Sequence, residues 1–262
     1  MARDFETEPE YQEKLDWASQ FVEAEVEPLD MLWGGLEFTP PDKALRKIID
    51  PLKEEVRRQK LWATHLGPEL GGEGHGQLQL SLLNEILGRS SWAPIIFGCQ
   101  APDTGNAEII AHYGTDEQKD RYLRPLLDGE IFSCYSMTEP HGGSDPTMFT
   151  TRAERDGDEW VINGWKYFSS NAPTATFLIV MAVTDPAVSA YQGMSMFLVP
   201  TDTPGINIVR NVGLGDEPLG EGSHSLIHYD EVRVPVEALL GGEGQAFAIA
   251  QTRLGGGRVH HA

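Results

Sequence analysis

The sequence predicts an α+β protein. An all-helical layer spans residues 1–130, a small antiparallel β-barrel or sandwich spans 131–241, and helix returns over 242–262. Three observations carry this. Apolar residues recur at spacings of three and four before residue 130. Short β-prone runs separated by turn dipeptides follow it. Helical spacing then reappears through Phe247, Ile249, Ala250 and Leu254.

In the first layer, Tyr11, Leu15, Ala18, Val22, Val26 and Leu29 share one helical face. Asp50-Pro51 reads as an N-cap with proline at the first helical position, opening "PLKEEVRRQKLW". Leu78, Leu82, Leu83, Ile86 and Leu87 form a third pattern that stops at Gly88. Thr115-Asp116-Glu117-Gln118 has the form of a capping box. Its helix carries Tyr122, Leu123, Leu126 and Leu127, and Gly129 occupies the place of a C-terminal cap.

After Ile131 the turn dipeptides Asp156-Gly157 and Asn163-Gly164 predict hairpins. The charged run Glu154–Glu159 is a solvated turn. "TFLIVMAV" (Thr176–Val183), "MSMFLVP" (Met194–Pro200) and "HSLIHYDEVRVP" (His224–Pro235) are strands set apart by Pro- and Gly-rich connections.

The 262 residues carry a net charge of −20, which excludes a basic nucleic-acid-binding surface. Cys99 and Cys134 are the only cysteines, so no disulfide framework is expected and a reducing compartment fits. The start "MARDFETEPEYQEKLDW" has neither signal- nor transit-peptide character, and "FLIVMAV" is too short to span a bilayer. A cytoplasmic protein without a membrane span is expected. His260-His261 point to different helix faces and lack partners at ligand spacing, so no metal site is expected.

The stretch "CYSMTEPHGGSDP" (Cys134–Pro146) breaks a strand-like run into Thr-Glu-Pro, two glycines and Ser-Asp. Such a turn exposes backbone N–H groups and hydroxyls, which suits a flat polar ligand. Cys134, among apolar neighbours, reads as a buried thiol.

Taken in order, "GTDEQKDRYLRPLLDGEIFSCYSMTEPHGGSDP", "VINGWKYFSSNA", "MSMFLVPTDTPGI" and "YDEVRVP" resemble the acyl-CoA dehydrogenases over nearly the whole chain. "APDTGNAEIIAHYGT" and "GRVHHA" look closest to the branch that in some animals is fused to a kinase-like domain and linked to hydroxyacyl substrates. The resemblance implies a helical domain, a middle β-domain and a C-terminal four-helix domain. Of the last, only the start of the first helix is expected here.

The implied cofactor is FAD, with the segment from Tyr135 to Ser144 along one face of the flavin. Met137 would offer backbone polar atoms to the ring, the Thr138 hydroxyl would reach flavin N5, and Gly143 would allow close approach. Ser144 would contact the pyrophosphate or the acyl-CoA. Phe168, Ser169 and Ser170 replace the family's Trp-Ile-Thr: Phe168 keeps the aromatic face without the indole donor, and Ser170 keeps the hydroxyl. His141 stands where the family often has a small residue. Arg258 matches the family arginine near the acyl-CoA. Gly255, Gly256 and Gly257 precede it, each weakening the helix by roughly 1 kcal/mol relative to alanine.

The implied reaction is α,β-dehydrogenation of an acyl-CoA to a trans-2-enoyl-CoA. Electrons would pass to an electron-transferring flavoprotein, and the full-length form would be a homodimer or homotetramer. The family's catalytic glutamate is expected beyond Ala262, and Glu139 reads as structural. The chain is therefore expected to be a fragment, inactive alone. The alternatives are a non-catalytic acyl-CoA- and FAD-binding subunit of a split or heteromeric complex, or a flavin oxidase or monooxygenase of the same superfamily.

Overall fold

The computed structural model describes residues 7–32, 43–70, 72–213 and 222–260. His261 lies outside them. They divide into two compact units, one taking residues up to 104 together with 255–260, the other residues 105–254.

In the first unit, α1 (Pro9–Phe21) and α2 (Glu27–Leu32) are joined without a break by a π-helical turn at Val22–Val26. The face expected from the spacing is the buried one: Tyr11, Leu15, Ala18, Val22, Val26 and Leu29 are all buried. The Tyr11 hydroxyl donates to the Gln79 carbonyl at 2.7 Å, tying α1 to α4 (Gly76–Leu87). In α4 the buried residues are Leu80, Leu83, Ile86 and Leu87, whereas Leu78 is exposed.

Helix α3 (Lys43–Arg58) corrects the reading of Asp50-Pro51 as a helix start, because Pro51 lies inside the helix. Leu45, Ile49 and Val56 lie on a stripe buried on both sides of it. Burial of that stripe offsets the hydrogen bond that proline cannot donate, worth roughly 3 kcal/mol in an exposed helix. The short α5 (Ala93–Ile96) follows, and α6 (Asp103–Tyr113) runs on into the second unit.

The second unit continues with α7 (Asp116–Gln118), a π-helical turn at Lys119–Leu123, and α8 (Arg124–Leu127). The capping box is complete, with the Thr115 side chain accepting from the Gln118 amide and the Gln118 side chain from the Thr115 amide. Gly129 follows α8 at φ 70°, the left-handed conformation that a helix C-terminal glycine supplies.

Among the described residues, seven strands form one sheet: β1 (Ser133–Ser136), β2 (Arg152–Asp156), β3 (Glu159–Ser170), β4 (Phe177–Val183), β5 (Met194–Pro200), β6 (Ile206–Val212) and β7 (His224–Pro235). Their order is β1-β4-β2-β3-β7-β6, with β5 also paired to β4. The sheet is mixed rather than purely antiparallel. β1 joins β4 in parallel, with Ser133 opposite Phe177, and β2 touches β4 in parallel at Arg152–Val183. β1 reaches β4 through a long connection instead of a hairpin, and such connections permit parallel pairing.

Asp156-Gly157 does turn the β2–β3 hairpin, with Gly157 at φ 62°. Asn163-Gly164 does not make a turn, because it lies within β3 at a break in register with β7. A Cβ on Gly164 would stand 2.6 Å from the Thr151 Cα, so the glycine serves close passage of a neighbouring backbone. Cys134, Trp160, Ile162, Leu178, Val180, Phe197, Val199, Tyr229 and Val232 belong to the core of this unit. Helix α9 (Ala246–His260) closes the described chain.

Candidate functional site

Two segments meet at one end of the sheet. The first is the turn that follows β1, Met137–Asp145, and the second is the end of β3, Lys166–Ser170. The Tyr167 amide donates to the Thr138 carbonyl at 2.8 Å. The Lys166 ammonium donates to the Met137 carbonyl at 2.8 Å and to Glu139 Oε1 at 2.9 Å. Three successive residues of the turn are thus held by two successive residues of the strand.

Glu139 is the hub. Its side chain is wholly buried, and its two oxygens accept from the Thr151 amide at 2.9 Å, the Thr150 amide at 2.7 Å, the Thr150 hydroxyl at 3.0 Å and Lys166. Burial pushes this carboxyl up, but Lys166 and the Thr150 and Thr151 donors outweigh it, and the group titrates below its ordinary value. Burial pulls Lys166 down to about 8, against the opposing pull of Glu139. A carboxylate engaged by so many donors ties the turn to β3 and to Thr150 and Thr151. His141 stands on the outer side of the turn, its Nε2 3.5 Å from Glu139 Oε2 and 3.0 Å from the Met148 carbonyl.

The rest of the turn closes tightly. Glu139 and Gly142 exchange both backbone hydrogen bonds, at 2.9 and 3.1 Å. Asp145 accepts from the amide and hydroxyl of Thr147. A Cβ on Gly143 would lie 3.1 Å from Thr138 Cγ2. Thr138 is half-buried, while Gly143 and Ser144 are exposed.

On β3 the register with β7 slips between Lys166 and Ser169, and Phe168 sits in the slip at φ 54°. A left-handed conformation costs a bulky residue roughly 1–2 kcal/mol. The residue is 44% exposed and its ring rests on that of Tyr167 at 4.0 Å between centroids. An exposed aromatic residue is thus held in a strained backbone beside the glycine turn.

The period of two along each strand sorts the expected site residues. Met137, Thr138 and Phe168 come together at the turn. Ser169 is fully buried, its hydroxyl 3.0 Å from that of Ser136, which is 2.8 Å from the Tyr229 hydroxyl. This side of the strand faces the core. Ser170 is half-buried on the next position. Tyr135 points to the other side of β1, where the Arg253 guanidinium lies 3.9 Å from its ring centre. Arg253 donates to Asn106 Oδ1 at 2.8 Å, and Asn106 donates to the Ser133 hydroxyl at 2.8 Å. Burial pushes the Tyr135 phenol up to about 12, with Arg253 opposing, and its buried hydroxyl has no hydrogen-bond partner among the described residues.

Gly255 and Arg258 are exposed on α9, within the first unit. Sequence reasoning passed over Arg253, Lys166 and Asn106. The one signal for Lys166 was its place in an otherwise β-prone run, where a lysine ordinarily faces solvent. An open cavity of about 520 Å³, lined by Tyr122, Leu198, Val234 and Leu239 among others, contains none of the expected site residues. No group of acidic, His or Cys side chains among the described residues could hold a metal, and no described helix is long and apolar enough to cross a membrane.

Comparison with known proteins gives a consistent answer. The acyl-CoA dehydrogenase N-terminal domain matches residues 8–130 and the acyl-CoA dehydrogenase middle domain residues 134–225. A probable acyl-CoA dehydrogenase, FadE2, of Mycobacterium tuberculosis is 46% identical over 226 residues, covering 85% of this chain and 54% of that protein. Acyl-CoA dehydrogenase family member 11 of Gallus gallus is 44% identical over 221 residues, covering 82% of this chain and 28% of that protein. Among solved structures, a putative acyl-CoA dehydrogenase from Mycobacterium abscessus superposes with a TM-score of 0.86 at 38% identity, over 98% of this chain and 66% of that one. A glutaryl-CoA dehydrogenase from Mycobacterium smegmatis in complex with FADH2 gives 0.69 at 27% identity, over 96% and 60%. The chain spans about half or less of the length of these two curated relatives. On these matches, the chain belongs to the acyl-CoA dehydrogenase family.

Proposed function

We propose that this chain forms the helical domain (1–130) and flavin-facing β-domain (131–241) of an FAD-dependent acyl-CoA dehydrogenase, with residues 242–262 opening a third, helical domain. One observation carries the reading: the Thr138 turn and the Phe168 bulge are bonded directly to each other, through the Tyr167 amide and the Thr138 carbonyl. The two segments that the family uses on the ring therefore form one wall.

The residues present fit a flavin. Met137 and Thr138 would hold the edge of the ring system and Phe168 its face. Gly143 and Ser144, exposed on the tight turn, would lie along the phosphates, and Ser170 would add a hydroxyl. Tyr135, on the side of β1 away from the core, would line the ring beside Arg253, and Ser169 supports the wall from the core side through Ser136. When bound, the flavin would accept the hydride lost from the acyl β-carbon. Arg258 would face a polar group of the acyl-CoA, and Arg253, fixed by Asn106 and stacked on Tyr135, is a further cation for such a group. The α-proton requires a carboxylate base. Glu139 is excluded from that role by its donors, and we assign the base to a residue outside those described.

The same reading includes an electron-transferring flavoprotein as acceptor, a homo-oligomeric full-length form and a cytoplasmic setting. The purified chain is expected to bind FAD weakly and to show no turnover of an acyl-CoA with a dye acceptor. Flavin fluorescence titration and the dye assay check this. Absence of any FAD binding, or FAD binding indifferent to Thr138→Ala and Phe168→Ala, would overturn the reading.

A further inference from the structure

Lys166 is the most unusual residue in the second unit. It is fully buried, it stands two residues before Phe168, and it faces a turn rather than solvent. Its ammonium reaches both ends of the Met137–Glu139 segment, and the Phe149 ring lies 4.7 Å away on its remaining side. Glu139 in turn gathers Thr150 and Thr151, so one charge pair ties the turn, the end of β3 and the approach to β2.

We propose that Lys166 is a positioning residue: through Glu139 and the Met137 carbonyl it sets the glycine turn and the Phe168 bulge at a fixed spacing, so that both walls of the cofactor site exist before any ligand arrives. The inference rests on the proposed flavin site for its purpose but not for its geometry. A buried ion pair is seldom a net source of stability against an apolar replacement, so its retention calls for another reason. Registry of two segments is the best-attested one. Tyr167 and Phe168 follow Lys166 directly, so a displaced lysine would move both the Thr138 hydrogen bond and the exposed ring.

The pair also sets the sign of the pH response. The titratable groups recorded around Lys166 are Glu139 and, through it, His141. Glu139 titrates below its ordinary value, so the closed arrangement is favoured above about 4.5 and lost as pH falls through the lowered value. Lys166 titrates at about 8 when closed and near 10.5 when open to water, so rising pH favours closure again. The clamp opens on the acid side and stays shut through pH 8.

The test is hydrogen exchange on the ligand-free chain, followed at fragments covering 138–151 and 166–168, with β4 and β5 fragments as internal control. Lys166→Met should speed exchange of both test fragments at least tenfold with the control unchanged, and should weaken FAD binding at least tenfold. Lys166→Met leaves a buried carboxylate without its counter-charge, so the main cause that lowers the Glu139 carboxyl is gone and the opening on the acid side should weaken or disappear. Adding Glu139→Gln to Lys166→Met should recover much of the lost protection, because no uncompensated charge remains. If Lys166→Met disturbs the control as well, Glu139→Gln alone, nearly isosteric, should still loosen both test fragments together. Unchanged exchange in both variants, or a double variant no better than Lys166→Met, would overturn the proposal. Failure of the wild-type chain to bind FAD would count against the flavin reading alone, since the exchange results stand without it.

Discussion

Strands β3 and β4 belong to one sheet and are built on opposite principles. Every residue of β4 from Phe177 to Ala182 is buried, all of them apolar, and its register with β5 runs unbroken from Phe177–Pro200 to Val183–Met194. β3 contains a glycine against Thr151, a buried lysine, a phenylalanine in left-handed backbone and two breaks in register with β7. Burial on both faces makes β4 a scaffold whose identity follows from hydrophobicity alone. The irregularities of β3 oppose local stability, and they concentrate where the glycine turn meets it. The sheet thus separates the strand that holds the unit together from the strand that shapes the candidate site.

This contrast can be broken at several points. Phe177→Ala in β4 removes a fully buried ring that packs 4.5 Å from Tyr122, and should cost about 3–5 kcal/mol in denaturant unfolding. A loss below about 1 kcal/mol would mean that β4 is not the scaffold. Gly164→Ala in β3 must push a Cβ into Thr151 at φ 146°, and should cost about 1–3 kcal/mol while leaving the β4–β5 amides protected. Thr115→Ala removes the capping box before the sheet and should cost about 1 kcal/mol. Phe168→Gly should go the other way, relieving left-handed strain and stabilising by up to about 1 kcal/mol while FAD binding falls. Reduced stability together with unchanged FAD binding would show that Phe168 serves the fold and not the site.

The same contrast explains how much was legible in the sequence. Elements whose burial follows a simple period could be read directly: the face from Tyr11 to Leu29, the capping box at Thr115, and the apolar runs of β4 and β5. Pro51 misled because a proline ordinarily starts a helix, whereas here the apolar stripe from Leu45 to Val56 carries the helix through it. Asn163-Gly164 misled because the dipeptide is the commonest hairpin signal, and its use for close passage of Thr151 depends on a strand far away in space. β6 went unnoticed because Asn207, Ile208, Val209 and Arg210 are all exposed and do not alternate. At the site, the motif residues Thr138 and Phe168 were visible through resemblance. Their supports were not, because Lys166 looks like a surface lysine and Arg253 like an ordinary helix cation until the fold places Glu139 and Tyr135 against them.

The proposed function requires that the Met137–Ser144 turn and the Lys166–Ser170 strand end form a single surface for a flavin. Hydrogen exchange of the chain with and without saturating FAD measures this directly. Both segments should gain protection together, at the same FAD concentration, while the β4 and β5 fragments stay as they were. Protection of neither segment, or of one without the other, would contradict it.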